Sequence, residues 1–118
     1  MADGQCEKCR IIRDMFYRAD KNPFKLFNET YVFMKKMYIK GDLNLYVSDC
    51  SFENMMEEVS EELFYTYNAY LQCTDCARVF RLGICIRGIP LYEVLESPPD
   101  INKIIQSAKR DGKELYFS

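Results

Sequence analysis

Two Cys-x-x-Cys pairs, Cys6-Glu7-Lys8-Cys9 and Cys73-Thr74-Asp75-Cys76, lie far apart in a chain of 118 residues that contains no histidine. Within each pair the spacing lets two sulfurs reach one point. Four thiolates are the ligand set of a closed, tetrahedral structural zinc site. The sequence therefore predicts one structural Zn2+ held by Cys6, Cys9, Cys73 and Cys76, which requires the fold to bring residue 73 back to residue 6. Two other readings compete. In one the four are unrelated buried thiols; in the other one pair is a redox dithiol. A redox dithiol should open a helix after a strand of a βαβ unit, and no such unit precedes Cys6. Cys50 and Cys85 have no close partner and read as core thiols, although Cys85 could share a face with the second pair.

The flanks of each pair point to different local structures. Leu63 to Gln72 and Arg78 to Arg87 are rich in strand-favouring aromatic and branched residues. In the second flank Phe80, Leu82, Ile84 and Ile86 alternate with Arg81, Gly83, Cys85 and Arg87, which is the period of a strand with one buried face. The second pair thus sits on the tight loop of an antiparallel hairpin. The first pair opens a helical pattern over residues 6–20, in which Ile11, Ile12, Met15, Phe16 and Ala19 recur at three- and four-residue steps. That helix should stop before Asn22-Pro23. A helix N-terminus favours thiolates through its free N–H groups. A hairpin knuckle joined with a helix N-terminus resembles the ligand arrangement of treble-clef zinc modules, here with the order along the chain reversed and a large insertion between.

Between the pairs, Tyr31 to Lys40 and Leu43 to Val47 read as a second hairpin turning at Gly41-Asp42. Met34 and Met37 also fit a helical face, so a helix over Tyr31 to Ile39 is the alternative. Ser51 or Asp49 can cap a helix over Phe52 to Glu61, with Phe52, Met55, Met56 and Val59 inward and Glu53, Glu57 and Glu61 outward. Leu91 to Glu96 is a further strand. Asp100 caps a helix carrying Ile101, Ile104, Ile105 and Ala108, which ends at Gly112, and Glu114 to Phe117 can return as a short strand. There is no repeat and no linker. The expectation is a single α+β domain over residues 1–118, with an antiparallel sheet of about four to six strands, two or three helices and a zinc-knuckle hairpin.

The lack of histidine removes the commonest general base and the Ser-His and Cys-His nucleophile pairs; the reading is a binding protein rather than an enzyme. No apolar run approaches the length of a membrane helix and the N-terminus lacks a signal-peptide pattern, which points to the cytoplasm, where six cysteines are not expected to form structural disulfides. Net charge is -2 but unevenly spread: residues 42–76 hold eight Asp and Glu and no Lys or Arg. A solvated helix face is the plain explanation of such a block. A one-sign surface also speeds encounter with an opposite-sign partner, which makes Asp49, Glu53, Glu57, Glu58, Glu61 and Glu62 the candidate partner-binding residues.

In size, acidity and lack of catalytic residues the chain resembles the small immunity proteins of bacterial polymorphic-toxin systems. The resemblance rests on overall character and implies a non-enzymatic inhibitor that neutralises a basic, nuclease-like toxin through an acidic helix face. The alternative is a zinc-dependent nucleic-acid-binding module, in which Arg78, Arg81 and Arg87, with Tyr65, Tyr67 and Tyr70, contact a single strand.

Overall fold

The fold was analysed in a computed structural model that describes residues 6–86 and 88–117. Helix α1 (Glu7–Lys21) and helix α2 (Phe27–Lys40) come first, then strand β1 (Leu43–Ser48) and the short helix α3 (Met55–Ser60). Strands β2 (Thr66–Cys73), β3 (Val79–Cys85) and β4 (Leu91–Leu95) follow, and helix α4 (Ile101–Asp111) comes last. The four strands form one antiparallel sheet in the order β1-β2-β3-β4. The fold is α+β as expected, with four helices among the described residues rather than two or three.

The sheet has two unlike faces. Alternation along β2 buries Tyr67, Ala69, Leu71 and Cys73, and the register places Leu82 opposite Ala69 and Phe80 opposite Leu71. Tyr92 and Val94 of β4 continue that face. It is covered by the apolar stripe of α1, where Cys9, Ile12, Phe16 and Ala19 are buried, and by Phe27, Tyr31, Met34 and Met37 of α2. The Phe16 ring meets Phe80 and Tyr92 edge-on, each with centroids 5.6 Å apart, an arrangement that adds to the burial itself. Ile11, read as part of the inward stripe, is exposed.

The segment before Gly41 is the main difference from the sequence reading. Tyr31 to Lys40 is helical, not the first arm of a hairpin. Gly41 ends α2 in the left-handed conformation at φ 96°, with its N–H reaching back to the carbonyls of Met37 and Tyr38. A glycine at positive φ serves a helix C-terminus as well as a hairpin turn. The apolar spacing of Tyr31, Met34 and Met37 decides between them, since it buries one side only in a helix.

Helix α3 is also shorter than expected. Phe52 is buried, and the Tyr31 hydroxyl donates to the carbonyls of Phe52 at 2.6 Å and Glu53 at 3.2 Å, which draws that stretch into the core before the helix begins. The Asn54 side chain makes no capping bond, and neither Ser51 nor Asp49 acts as the cap. At the other end of the chain Asp100 does cap α4, accepting from the Asn102 N–H at 3.0 Å, and Gly112 closes the helix at φ 70°. The segment after α4 forms a single bridge, Tyr116 to Ser48, rather than a strand.

Candidate metal centre

The hairpin between β2 and β3 builds one half of the centre. The Arg78 carbonyl accepts from the Cys73 N–H at 2.9 Å, and the Cys73 carbonyl accepts from Ala77 N–H at 3.1 Å. This tight closure needs a left-handed residue, and Ala77 supplies it at φ 64°, where a glycine would be free of strain. The loop folds its own N–H groups toward the sulfurs: those of Cys76 and Asp75 reach Cys73, and that of Arg78 reaches Cys76. Backbone donors aimed at sulfur stabilise a thiolate there. The other half comes from α1, where Cys6 is the N-cap residue and Cys9 lies one turn further on.

The structure brings all four predicted ligands together. The Cys6, Cys9, Cys73 and Cys76 sulfurs lie within 4.8 Å of one another. Cys6 Sγ is 3.7 Å from Cys73 Sγ, and Cys9 Sγ is 3.5 Å from Cys76 Sγ. Four sulfurs around one ion at a Zn–S distance of about 2.3 Å sit about 3.8 Å apart in a tetrahedron, so the donor set and its spacing fit a single tetrahedral metal ion. Cys9 and Cys73 are buried, while Cys6 and Cys76 are half-buried. The cluster ties α1 to the far end of the sheet.

The ionisation of these thiols follows from their surroundings. Burial pushes Cys9 up to about 12, with the neighbouring Cys76 and Cys6 sulfurs adding to the rise. Burial also raises Cys73, partly offset by its backbone donors. Cys76 goes the other way: burial opposes ionisation, but the Arg78 N–H and the three neighbouring thiols outweigh it and bring the group down to about 7.

One residue of the centre was misread from the sequence. The alternative reading puts Arg78 on an exposed nucleic-acid-binding face, yet it is only 4% exposed. Its guanidinium lies against the cluster, 3.6 Å from Cys76 Sγ and 3.9 Å from Cys9 Sγ, and pairs with Glu96 at 3.0 Å. The hydrogen bond to Glu96 is the largest influence holding it charged, against burial, with the two sulfurs adding to it. A four-thiolate site around a divalent ion carries excess negative charge, and a buried guanidinium offsets part of it. The signal in the sequence was position, since Arg78 follows the second pair by two residues. Lys8, inside the first pair, was not singled out either; it reaches Thr74 Oγ1 at 3.0 Å and the Asp75 carboxylate at 3.1 Å across the joint.

The remaining candidates divide. Cys50 is a buried core thiol beside the Ser48 hydroxyl at 3.5 Å, as expected. Cys85 pairs with Thr66 at the opposite end of β3 from the knuckle, so it does not join the cluster. Arg81 is held by Asn68 and by Glu93, each at 3.2 Å, Tyr67 is buried, and Arg87 lies outside the described residues. Tyr65 is exposed, and the Arg81 guanidinium lies over the Tyr70 ring at 5.5 Å.

Of the acidic candidates, Glu53, Glu57, Glu61 and Glu62 are exposed along α3 and its ends. Glu58 is half-buried, and its carboxylate accepts from the Ser51 N–H at 3.0 Å. Asp49 does not belong to that face. It lies at the foot of the sheet, paired with Lys113 at 3.0 Å with both side chains nearly covered, and it accepts from the Asn68 N–H at 2.7 Å. A carboxylate among apolar strands needs such partners, and Lys113, beyond residue 76, supplies the cation that the local sequence lacks. Comparison of the chain with protein families, with curated proteins and with solved structures finds no match. Among the described residues no helix is long and apolar enough to cross a membrane.

Proposed function

We propose that this chain is a non-enzymatic cytoplasmic binding protein whose fold is held by one structural Zn2+ on Cys6, Cys9, Cys73 and Cys76, and that it docks a basic protein through the acidic residues around α3. The observation that carries the reading is the convergence of two Cys-x-x-Cys pairs, 64 residues apart, within 4.8 Å. All-sulfur donors at tetrahedral spacing favour zinc over the harder cations, which take oxygen ligands. Four protein ligands leave no open position on the ion, so its role is structural rather than catalytic. Clipping a loop of this length removes on the order of 4 kcal/mol of unfolded-state freedom on the chain-entropy scale.

The docking half of the proposal draws on the four exposed glutamates, Glu53, Glu57, Glu61 and Glu62, in a segment with no positive residue. A partner of opposite sign gains encounter rate and orientation from such a face. A toxin of the nuclease type, which must itself carry positive charge to hold phosphate, is the partner class that the resemblance to immunity proteins implies.

The experiment is a titration of the protein against a basic nuclease domain, with inhibition of cleavage as the readout, repeated after the double change Glu57→Lys and Glu61→Lys. The expected result is slower association, a flatter salt dependence and unchanged folding, because exposed charges contribute little to stability. Binding that is indifferent to the reversal, or binding of nucleic acid in place of protein, contradicts the docking proposal while leaving the metal site standing.

A further inference from the structure

We propose that the four-cysteine centre is also an oxidation site, at which two disulfides, Cys6–Cys73 and Cys9–Cys76, replace the metal ion without releasing α1 from the sheet. The inference rests on the zinc reading only for the ion displaced; the pairing follows from the sulfurs themselves. Two sulfur pairs are in direct hydrogen-bond contact, Cys6 with Cys73 at 3.7 Å and Cys9 with Cys76 at 3.5 Å. Both cross from α1 to the knuckle; neither lies within a Cys-x-x-Cys. A disulfide bond is about 2.05 Å long, so each crossing pair has to close by roughly 1.5 Å.

Exposure gives each crossing pair a division of labour. Cys6 and Cys76 are half-buried, and their partners Cys73 and Cys9 are buried. The outer sulfur meets the oxidant and the inner one waits behind it. With a peroxide as oxidant, the outer thiolate attacks one peroxide oxygen and becomes a sulfenic acid, and the departing hydroxide takes up a proton to form water. The inner thiolate then attacks the sulfenic sulfur, the S–S bond forms, and a second hydroxide leaves and is protonated. Each disulfide gives two electrons to one peroxide, so the centre consumes two peroxides and loses all four ligand thiolates with the ion. A resolving thiol in contact diverts the sulfenic acid from further oxidation.

The two halves stay apposed while the exchange proceeds. Lys8 of α1 bridges to Thr74 and Asp75 of the knuckle. Oxidation thereby exchanges a metal clip for a covalent one between the same two elements, and the fold persists in reducing and in oxidising surroundings.

The test treats the zinc-loaded protein, and separately the chelator-stripped protein, with about two equivalents of hydrogen peroxide per chain and maps the disulfides by mass spectrometry. Lys8 and Asp75 lie between the cysteines of their pairs, so cleavage after lysine and before aspartate separates all four. The expected products are the linked peptides Cys6–Cys73 and Cys9–Cys76, with zinc released from the loaded sample. The oxidised protein should melt well above the stripped, reduced protein. The variant Cys6→Ser should still form Cys9–Cys76. Links within either Cys-x-x-Cys, sulfinic acids, or an oxidised protein that melts with the stripped form overturn the proposal. If no zinc is bound at all, the metal reading fails, and the pairing found in the stripped sample still decides this one.

Discussion

Replacing Arg78 by methionine keeps an unbranched apolar stem beside the sulfurs and removes the charge. Two separate contributions are lost. The pair with Glu96 is short, at 3.0 Å, but the Glu96 side chain is 67% exposed, so that arm contributes only about 0.5 kcal/mol. The arm toward Cys76 and Cys9 is buried, and hydrogen bonds to charged groups contribute about 1.5–3 kcal/mol. That second arm gains its full value only when the sulfurs are thiolates, in the metal-loaded protein. Arg78→Met should therefore destabilise the loaded protein by about 2 kcal/mol more than the stripped one, equivalent to about a 30-fold loss in metal affinity. This lies inside the 10- to 100-fold range usual for residues that support metal ligands. Urea unfolding of both forms and competition with a zinc-binding dye measure the two quantities independently. Arg78→Lys, which restores one charge without the planar fork, should recover part of the affinity. Equal destabilisation of both forms with unchanged affinity would refute the assignment and reduce Arg78 to an ordinary ion pair.

Lys113→Met leaves the Asp49 carboxylate covered and without its cation, and should cost about 3 kcal/mol in urea unfolding; a loss under about 1 kcal/mol would mean that the pair is effectively a surface one. Metal loading should release about three to four protons near neutral pH, because every ligand must become a thiolate. With Cys76 lowered to about 7 and Cys9 pushed up to about 12, Cys76 stops consuming metal affinity above about pH 7, whereas Cys9 still has a proton to lose far into the alkaline range. Affinity should rise with pH throughout that window and fall on acidification. Calorimetry in two buffers of different ionisation enthalpy counts the protons, and fewer than about two would contradict four thiolate ligands.

Much of the centre was legible because its parts are local. A Cys-x-x-Cys on alternating strands and another at the start of an amphipathic helix each announce their own geometry, and Cys6, Cys9, Cys73 and Cys76 followed from spacing and from the absence of histidine. The caps Asp100 and Gly112 were readable for the same reason. What was missed depends on contacts between distant parts of the chain. Gly41 serves a helix end and a hairpin equally well, and the helical spacing of Tyr31, Met34 and Met37, which packs one side against the sheet, separates the two. Asp49 looked like a member of the acidic face until Lys113, 64 residues on, proved to be its partner. Arg78 read as a surface cation because arginine in a strand flank usually is one; its burial follows from the sulfurs that α1 delivers beside it.

The most direct test is the metal content and ligation of the protein purified without added chelator. Elemental analysis should find one zinc per chain, and X-ray absorption at the zinc edge should show sulfur neighbours alone at about 2.3 Å. A protein that carries no metal as purified, or a zinc ion with oxygen or nitrogen in its first shell, would contradict a closed centre formed by Cys6, Cys9, Cys73 and Cys76.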